Sequence, residues 1–147
     1  MPLPIQKFRE MVFQMLYSCE SSGSERGDTI EMLMSELKVT KKVAGEAYAR
    51  VQTILEKKTE IDEKISSAST EYKFDRISQV EKNLLRLGVY ELFYDQSIPP
   101  KVVIAEAIRL CRKFGTFESA GFVNALLDAL CPSKRASSIT DTTVTSV

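Results

Sequence analysis

The chain has 147 residues, of which 44% are hydrophobic and 27% charged, enough apolar mass for one domain or two small halves sharing a core. Twenty basic and twenty acidic residues cancel, so no global field draws the chain toward nucleic acid or membrane, and any such affinity must come from a local patch. There is no histidine, which removes the commonest general base, zinc ligand and partner of a nucleophile. No glycine-rich phosphate loop and no conspicuous pair of acids takes its place, so the composition argues against an enzyme, a metal site or a cofactor.

The chain opens with MPLPIQKFRE, which lacks the apolar run of a signal peptide, and no stretch approaches transmembrane length. Cytoplasm is the expected compartment, with no membrane partner. Helical periodicity begins at once. In KFREMVFQMLYSC the residues Phe8, Met11, Val12, Met15, Leu16 and Cys19 recur at three- and four-residue spacing and predict one buried stripe. The run SSGSERGD breaks it. A short second helix is predicted around TIEMLMSEL, with Ile30, Leu33, Met34 and Leu37 inward. Thr40 is the N-cap expected for a long third helix carrying Ala44, Ala47, Tyr48, Val51, Ile54 and Leu55, continued through KKTEIDEKI by Ile61 and Ile65. The serine-rich ISSASTEYKFD then marks a boundary between two halves, residues 1–70 and 71–131.

The second half starts on Ser78-Gln79-Val80-Glu81, the spacing of a capping box, in which the serine hydroxyl and the glutamate carboxylate satisfy each other's backbone amides. A stripe of Val80, Leu84, Leu85, Val89 and Leu92 follows. Gly88 inside it costs about 1 kcal/mol against alanine, which predicts close approach of another helix. Pro99 and Pro100 end this helix and preset the backbone of the next. Val103, Ile104, Ala107, Ile108, Cys111 and Phe114 form the inner face of that next helix. Arg112 and Lys113 suit its C-terminal dipole, and Gly115 is expected as a left-handed cap. A last helix, SAGFVNALLDAL, buries Phe122, Val123, Leu126, Leu127 and Leu130 before Pro132. Residues 132–147 read as a disordered polar tail. Cys19, Cys111 and Cys131 have no metal-binding spacing, and the first two read as reduced thiols on apolar helix faces. The expected fold is all-α: two small helical bundles packed along their length, with no sheet.

From Arg76 to Leu130 the chain resembles the NusB family of transcription antitermination factors. The resemblance rests on V-E-K…L-R…Y-E-L, I-P-P-K-V-V-I…E-A, K-F-G and F-V-N…L-D, in that order and spacing. The first helix adds Arg9, Glu10, Gln14, Leu16 and Tyr17. The resemblance implies a non-enzymatic, NusB-like helical protein that binds the boxA element of ribosomal RNA transcripts, a single-stranded RNA, jointly with NusE, a small-subunit ribosomal protein. The pair would join other Nus factors on RNA polymerase. Three departures stand out. Where the family opens with a dense arginine-rich run, this chain has only Lys7 and Arg9. Ala105 replaces the usual asparagine before E-A, and Ala125 the glycine after F-V-N.

The resemblance also nominates residues. Lys7 and Arg9 would contact phosphates, although by composition alone they are two solvated cations beside Glu10. In a regular helix they point about 200° apart. Each lost phosphate contact lowers the salt slope of binding by about one unit, which predicts weaker and more partner-dependent RNA binding than is usual for the family. Lys82 and Arg86 are four apart and read either as a further RNA contact or as an exposed pair. Glu118, Ser119 and Phe122 stand at the mouth of the last helix, beside the RNA in the family. Glu118 also suits the helix dipole, and Phe122 serves either the core or a base stack. Phe13 and Tyr17 lie off the main stripe of the first helix. Packing on a neighbouring helix explains them, or a surface for NusE shared with Glu81. Asn124 is expected to tie two helices together by hydrogen bonds. Two other functions stay open: an RNA-recognition domain of an rRNA cytosine methyltransferase, if the sequence is part of a longer chain, and a helical protein-interaction module that has lost RNA binding. The aromatics could equally serve a homodimer.

Overall fold

The computed structural model describes residues 5–22, 35 and 40–131. The predicted second helix and the polar tail lie outside them. All regular structure among the described residues is helical: α1 (Ile5–Ser22), α2 (Lys41–Glu56), α3 (Lys58–Ala68), a 3-10 turn (Phe74–Arg76), α4 (Gln79–Tyr94), α5 (Pro100–Phe114) and α6 (Phe117–Leu130). The chain divides into two compact units, Met1–Thr59 and Glu60–Val147.

In the first unit α1 packs against α2. Met11, Val12, Met15 and Leu16 on one helix and Ala44, Ala47, Val51 and Ile54 on the other are all within 1% of full burial, as the apolar spacing requires. Thr40 caps α2, its Oγ1 accepting from the Val43 amide at 3.3 Å. The long third helix expected from the sequence is in fact two. Lys57 leaves helical geometry, its N–H donating to the Ile54 carbonyl at 3.0 Å, and α3 begins at the next residue.

The second unit is built around α4. Ser78 and Glu81 form the expected capping box, the Glu81 amide donating to Ser78 Oγ and the Ser78 amide to Glu81 Oε1, both at 3.2 Å. Beyond this cap the single stripe predicted for α4 understates the result. Every residue from Asn83 to Leu92 is buried, so the helix is enclosed around its circumference. Gly88 makes this possible on one side: a Cβ there would lie 2.9 Å from Leu127 Cδ1 of α6. Helix α3 buries Ile61 and Ile65 and is tied to α4 by polar pairs. Tyr94 donates to Glu60 Oε2 at 2.7 Å, and Lys64 Nζ lies 4.6 Å from the Phe93 ring centroid.

Pro99 is the N-cap of α5 and Pro100 its first helical residue, as the missing amide predicts. The hairpin from α5 to α6 is tighter than expected. Gly115 has φ −113° and ψ −150°, extended rather than left-handed. A Cβ at Gly115 would lie 3.1 Å from the Cys111 carbonyl oxygen, so glycine here relieves a tight contact and does not serve a positive φ. Thr116 then caps α6, its Oγ1 accepting from the Ser119 amide at 3.1 Å. Helix α6 therefore begins at Phe117, two residues before the sequence pattern suggested. Among the described residues no helix is long and apolar enough to cross a membrane.

Candidate nucleic-acid interface

The nominated residues divide sharply by burial. On α1, Lys7 is exposed, whereas Arg9 retains only 3% of its surface and Glu10 8%. Arg9, expected as a solvated phosphate contact, is thus an interior side chain. Phe13 is likewise buried, at 2% exposure. Its ring lies 6.2 Å from that of Tyr17, and of the two only Tyr17 reaches the surface.

On α4 the expected Lys82–Arg86 surface pair is split. Arg86 is buried and makes a two-pronged ion pair with Asp62 of α3, Nε to Oδ1 at 2.8 Å and Nη2 to Oδ2 at 3.1 Å. Its Nη1 also donates to Asn83 Oδ1 at 3.2 Å, and Asn83 Nδ2 donates back to the Gln79 carbonyl at 2.8 Å. The guanidinium fork is therefore spent inside the unit. Lys82 is half-buried, with Nζ 4.6 Å from the centroid of Phe74, a cation–π seat. Glu81 is occupied by its capping box and offers no free carboxylate face at Oε1.

At the N-terminus of α6, Glu118 is exposed and Ser119 is buried, its hydroxyl 3.0 Å from Thr116 Oγ1. Phe122 is half-buried and packs edge-to-face with Tyr72, with centroids 5.2 Å apart and planes at 79°. Tyr72 keeps 46% of its surface. Its phenol pKa is raised, first by the Glu71 carboxylate, then by burial, and then by the negative charges of Glu118 and Glu81. Beside it a cavity of about 300 Å³ is lined by Ser66, Ser69, Thr70 and Lys73. A second cavity, about 350 Å³, opens between α5 and α6.

Sequence reasoning missed Tyr72 and Phe74, which sit in the EYKF segment assigned to a boundary. The available signal was two aromatics alternating with a cation outside any apolar stripe, a composition suited to single-stranded nucleic acid. It also missed Phe117, which is 89% exposed. Asn124, expected to bridge two helices, is instead exposed. Cys19, Cys111 and Cys131 are free thiols. Among the described residues no group of acids and thiols could hold a metal.

An all-helical chain whose surface gathers aromatic rings, seated cations and hydroxyls in one unit has the chemistry of a binding protein for flexible polar polymers. Comparison with known proteins makes the class specific. The NusB family model matches residues 6–131, and the chain belongs to that family. It is 40% identical over 125 residues to the transcription antitermination protein NusB of Chlamydia pneumoniae, covering 85% of this chain and 78% of that one. The solved structure of T. maritima NusB matches with a TM-score of 0.76 at 32% identity, over 93% of this chain and 99% of the other. A crystal structure of the antitermination factors NusB and NusE in complex with dsRNA matches with a TM-score of 0.74 at 29% identity, over 87% and 96% of the two chains.

Proposed function

We propose that this chain is a transcription antitermination and rRNA-processing factor, which binds boxA-type single-stranded RNA jointly with NusE and joins the other Nus factors on RNA polymerase in the cytoplasm. It acts by binding, not by catalysis. The observation that carries the RNA reading is the Tyr72–Phe122 pair, an exposed edge-to-face platform beside the Lys82–Phe74 seat, in a chain of this family. Exposed rings of this kind stack on unpaired bases. Within the second unit the RNA-facing set is Lys82, Glu118 and Phe122, joined by Tyr72, and in the first unit the exposed cation available to RNA is Lys7. Arg86 and Ser119 support the second-unit set from inside. Tyr17, as the exposed member of its pair, is the NusE-facing aromatic, with Glu81 holding the start of α4.

Fluorescence anisotropy of labelled boxA-type RNA, with and without NusE, tests this. Binding should be weak for the chain alone and clearly stronger with NusE. It should fall on Tyr72→Ala and be suppressed when the RNA is annealed to its complement. An equal response to scrambled RNA in the presence of NusE would overturn the assignment.

A further inference from the structure

We infer that the cavity between α5 and α6 receives a second unpaired base of the bound RNA, one carrying an exocyclic amino group, stacked on Phe117 and read by Asn124. This rests on the RNA-binding reading above and extends it to residues which that reading does not use.

Helix geometry brings the parts together. Phe117, Gly121 and Asn124 stand at i, i+4 and i+7 on α6 and share one face, and all three line the cavity along with Ile108 and Arg112. None of them is used by the core: Phe117 is the most exposed large hydrophobic side chain described, at 89%, and Asn124 and Arg112 are exposed as well. Among the described residues neither the Asn124 carboxamide nor the Arg112 guanidinium has a side-chain hydrogen bond or an ion pair. A phenyl ring left in water at the start of a helix that otherwise buries six residues is an aromatic face without a partner. Gly121 lies beneath it, and a Cβ built there would meet nothing within 4 Å. Packing does not demand glycine at that position; its bare backbone keeps the floor of the groove open. The volume of about 350 Å³ is at the small end of the roughly 300–1,000 Å³ usual for ligand sites.

The occupant is chosen by chemistry and by continuity. The Asn124 carboxamide offers one acceptor and two donors on a planar group, the match for a base edge that pairs an amino group with a ring nitrogen. Glu118 also lines the cavity, and its carboxylate accepts from an exocyclic amino group. Arg112 supplies the cation for a flanking phosphate. Glu118 stands one helical turn before Phe122, whose ring packs on Tyr72, so the cavity that Glu118 lines adjoins the Tyr72–Phe122 platform. A strand crossing that platform arrives at Phe117 with its next exposed base.

The test uses the full chain with NusE and a set of boxA-type RNAs, each carrying one abasic nucleotide. Two or more positions should weaken binding to the unaltered chain by about 5- to 100-fold, the range that loss of base–aromatic stacking produces. At one of these positions the loss should vanish in the Phe117→Ala variant and shrink in Asn124→Ala, while the loss at a Tyr72-dependent position persists. Circular dichroism should show both variants folded, since both side chains are exposed. If every abasic position costs the same in variant and unaltered chains, the pocket is refuted. It is refuted too if Phe117→Ala weakens NusE capture without RNA, which would make the ring a protein contact. An unaltered chain indifferent to all abasic positions would instead overturn the RNA-binding reading, and the pocket with it.

Discussion

Replacing Arg86 by methionine separates an internal brace from a phosphate contact. The substitution keeps the volume of the side chain and removes its fork. Asp62 then loses two charge-assisted hydrogen bonds, and the buried Asn83 Oδ1 loses its donor from Nη1. Breaking a buried ion pair from one side costs about 3–5 kcal/mol. The Asp62 side chain keeps 19% of its surface, so water can solvate part of the stranded carboxylate, and about 3 kcal/mol is the expected loss. For a chain of this length that corresponds to a Tm lower by about 10 °C. Removing both charges, as Arg86→Met with Asp62→Leu, should recover most of it, because an apolar pair of similar volume replaces a compensated ionic one at little net cost. Differential scanning calorimetry gives the stability arm. Anisotropy at 20 °C with NusE gives the other: RNA affinity and its salt slope should stay within error of the unaltered chain. A single variant whose Tm is unchanged, and whose salt slope drops by about one unit, would show that the guanidinium faces phosphate and that the Asp62 pairing is incidental.

Gly88→Ala should be neutral to destabilising by up to about 2 kcal/mol in urea unfolding. Helix propensity gains about 1 kcal/mol, but overpacking against the fully buried Leu127 costs about 1–3 kcal/mol, and a clear gain in stability would mean that the α4–α6 contact is looser than described. The Cys111 thiol is pushed up to about 12, first by burial and then by Glu81. At pH 8 it should therefore resist a disulfide reagent in the folded chain and react only on unfolding, with the half-exposed Cys19 reacting first. Above the unfolded value of 9.0 the unfolded state gives up its proton while the folded state keeps it, so stability falls as pH rises. Tyr94, raised by its hydrogen bond to Glu60, adds in the same direction. Cys111→Ala should show a shallower fall between pH 8 and 10.5, and an identical profile would contradict the burial.

What could be read from the sequence was whatever is decided within a turn or two of chain. The Ser78–Glu81 box, the Thr40 cap and the Pro99–Pro100 stop and start all have local signatures. The family resemblance likewise rested on ordered short runs. What could not be read was decided by partners far away in sequence. Arg86 looks like any helix-surface cation until Asp62, 24 residues earlier, is folded against it. Tyr72 reads as loop polarity until Phe122 turns its edge toward it. The break at Lys57 falls in KKTE, where no glycine or proline announces it, and Gly115 carries the residue type of a left-handed cap for a different reason. Phe117 was passed over because a single exposed apolar side chain is ordinary; only the groove beside it makes it informative.

The charge arrangement gives a physical reason for a partner. Four cations were nominated as phosphate contacts, Lys7, Arg9, Lys82 and Arg86. Burial removes Arg9 and Arg86, and Lys82 is seated on a ring, which leaves Lys7 as the one fully exposed member. Each phosphate neutralised contributes about one unit of salt slope, so under the proposed function these four positions supply only a small electrostatic share of the RNA affinity. The acids whose charges act on Tyr72 work against a continuous phosphate backbone as well. A carboxylate repels phosphate yet accepts from base amino groups, so the same arrangement that weakens binding in general favours the bases that can donate to it. A surface strong in base contacts and poor in phosphate contacts discriminates well and holds weakly. Under the proposed function the missing backbone contacts come from NusE. Complex formation should then depend steeply on the concentration of that partner and only mildly on the salt sensitivity of this chain.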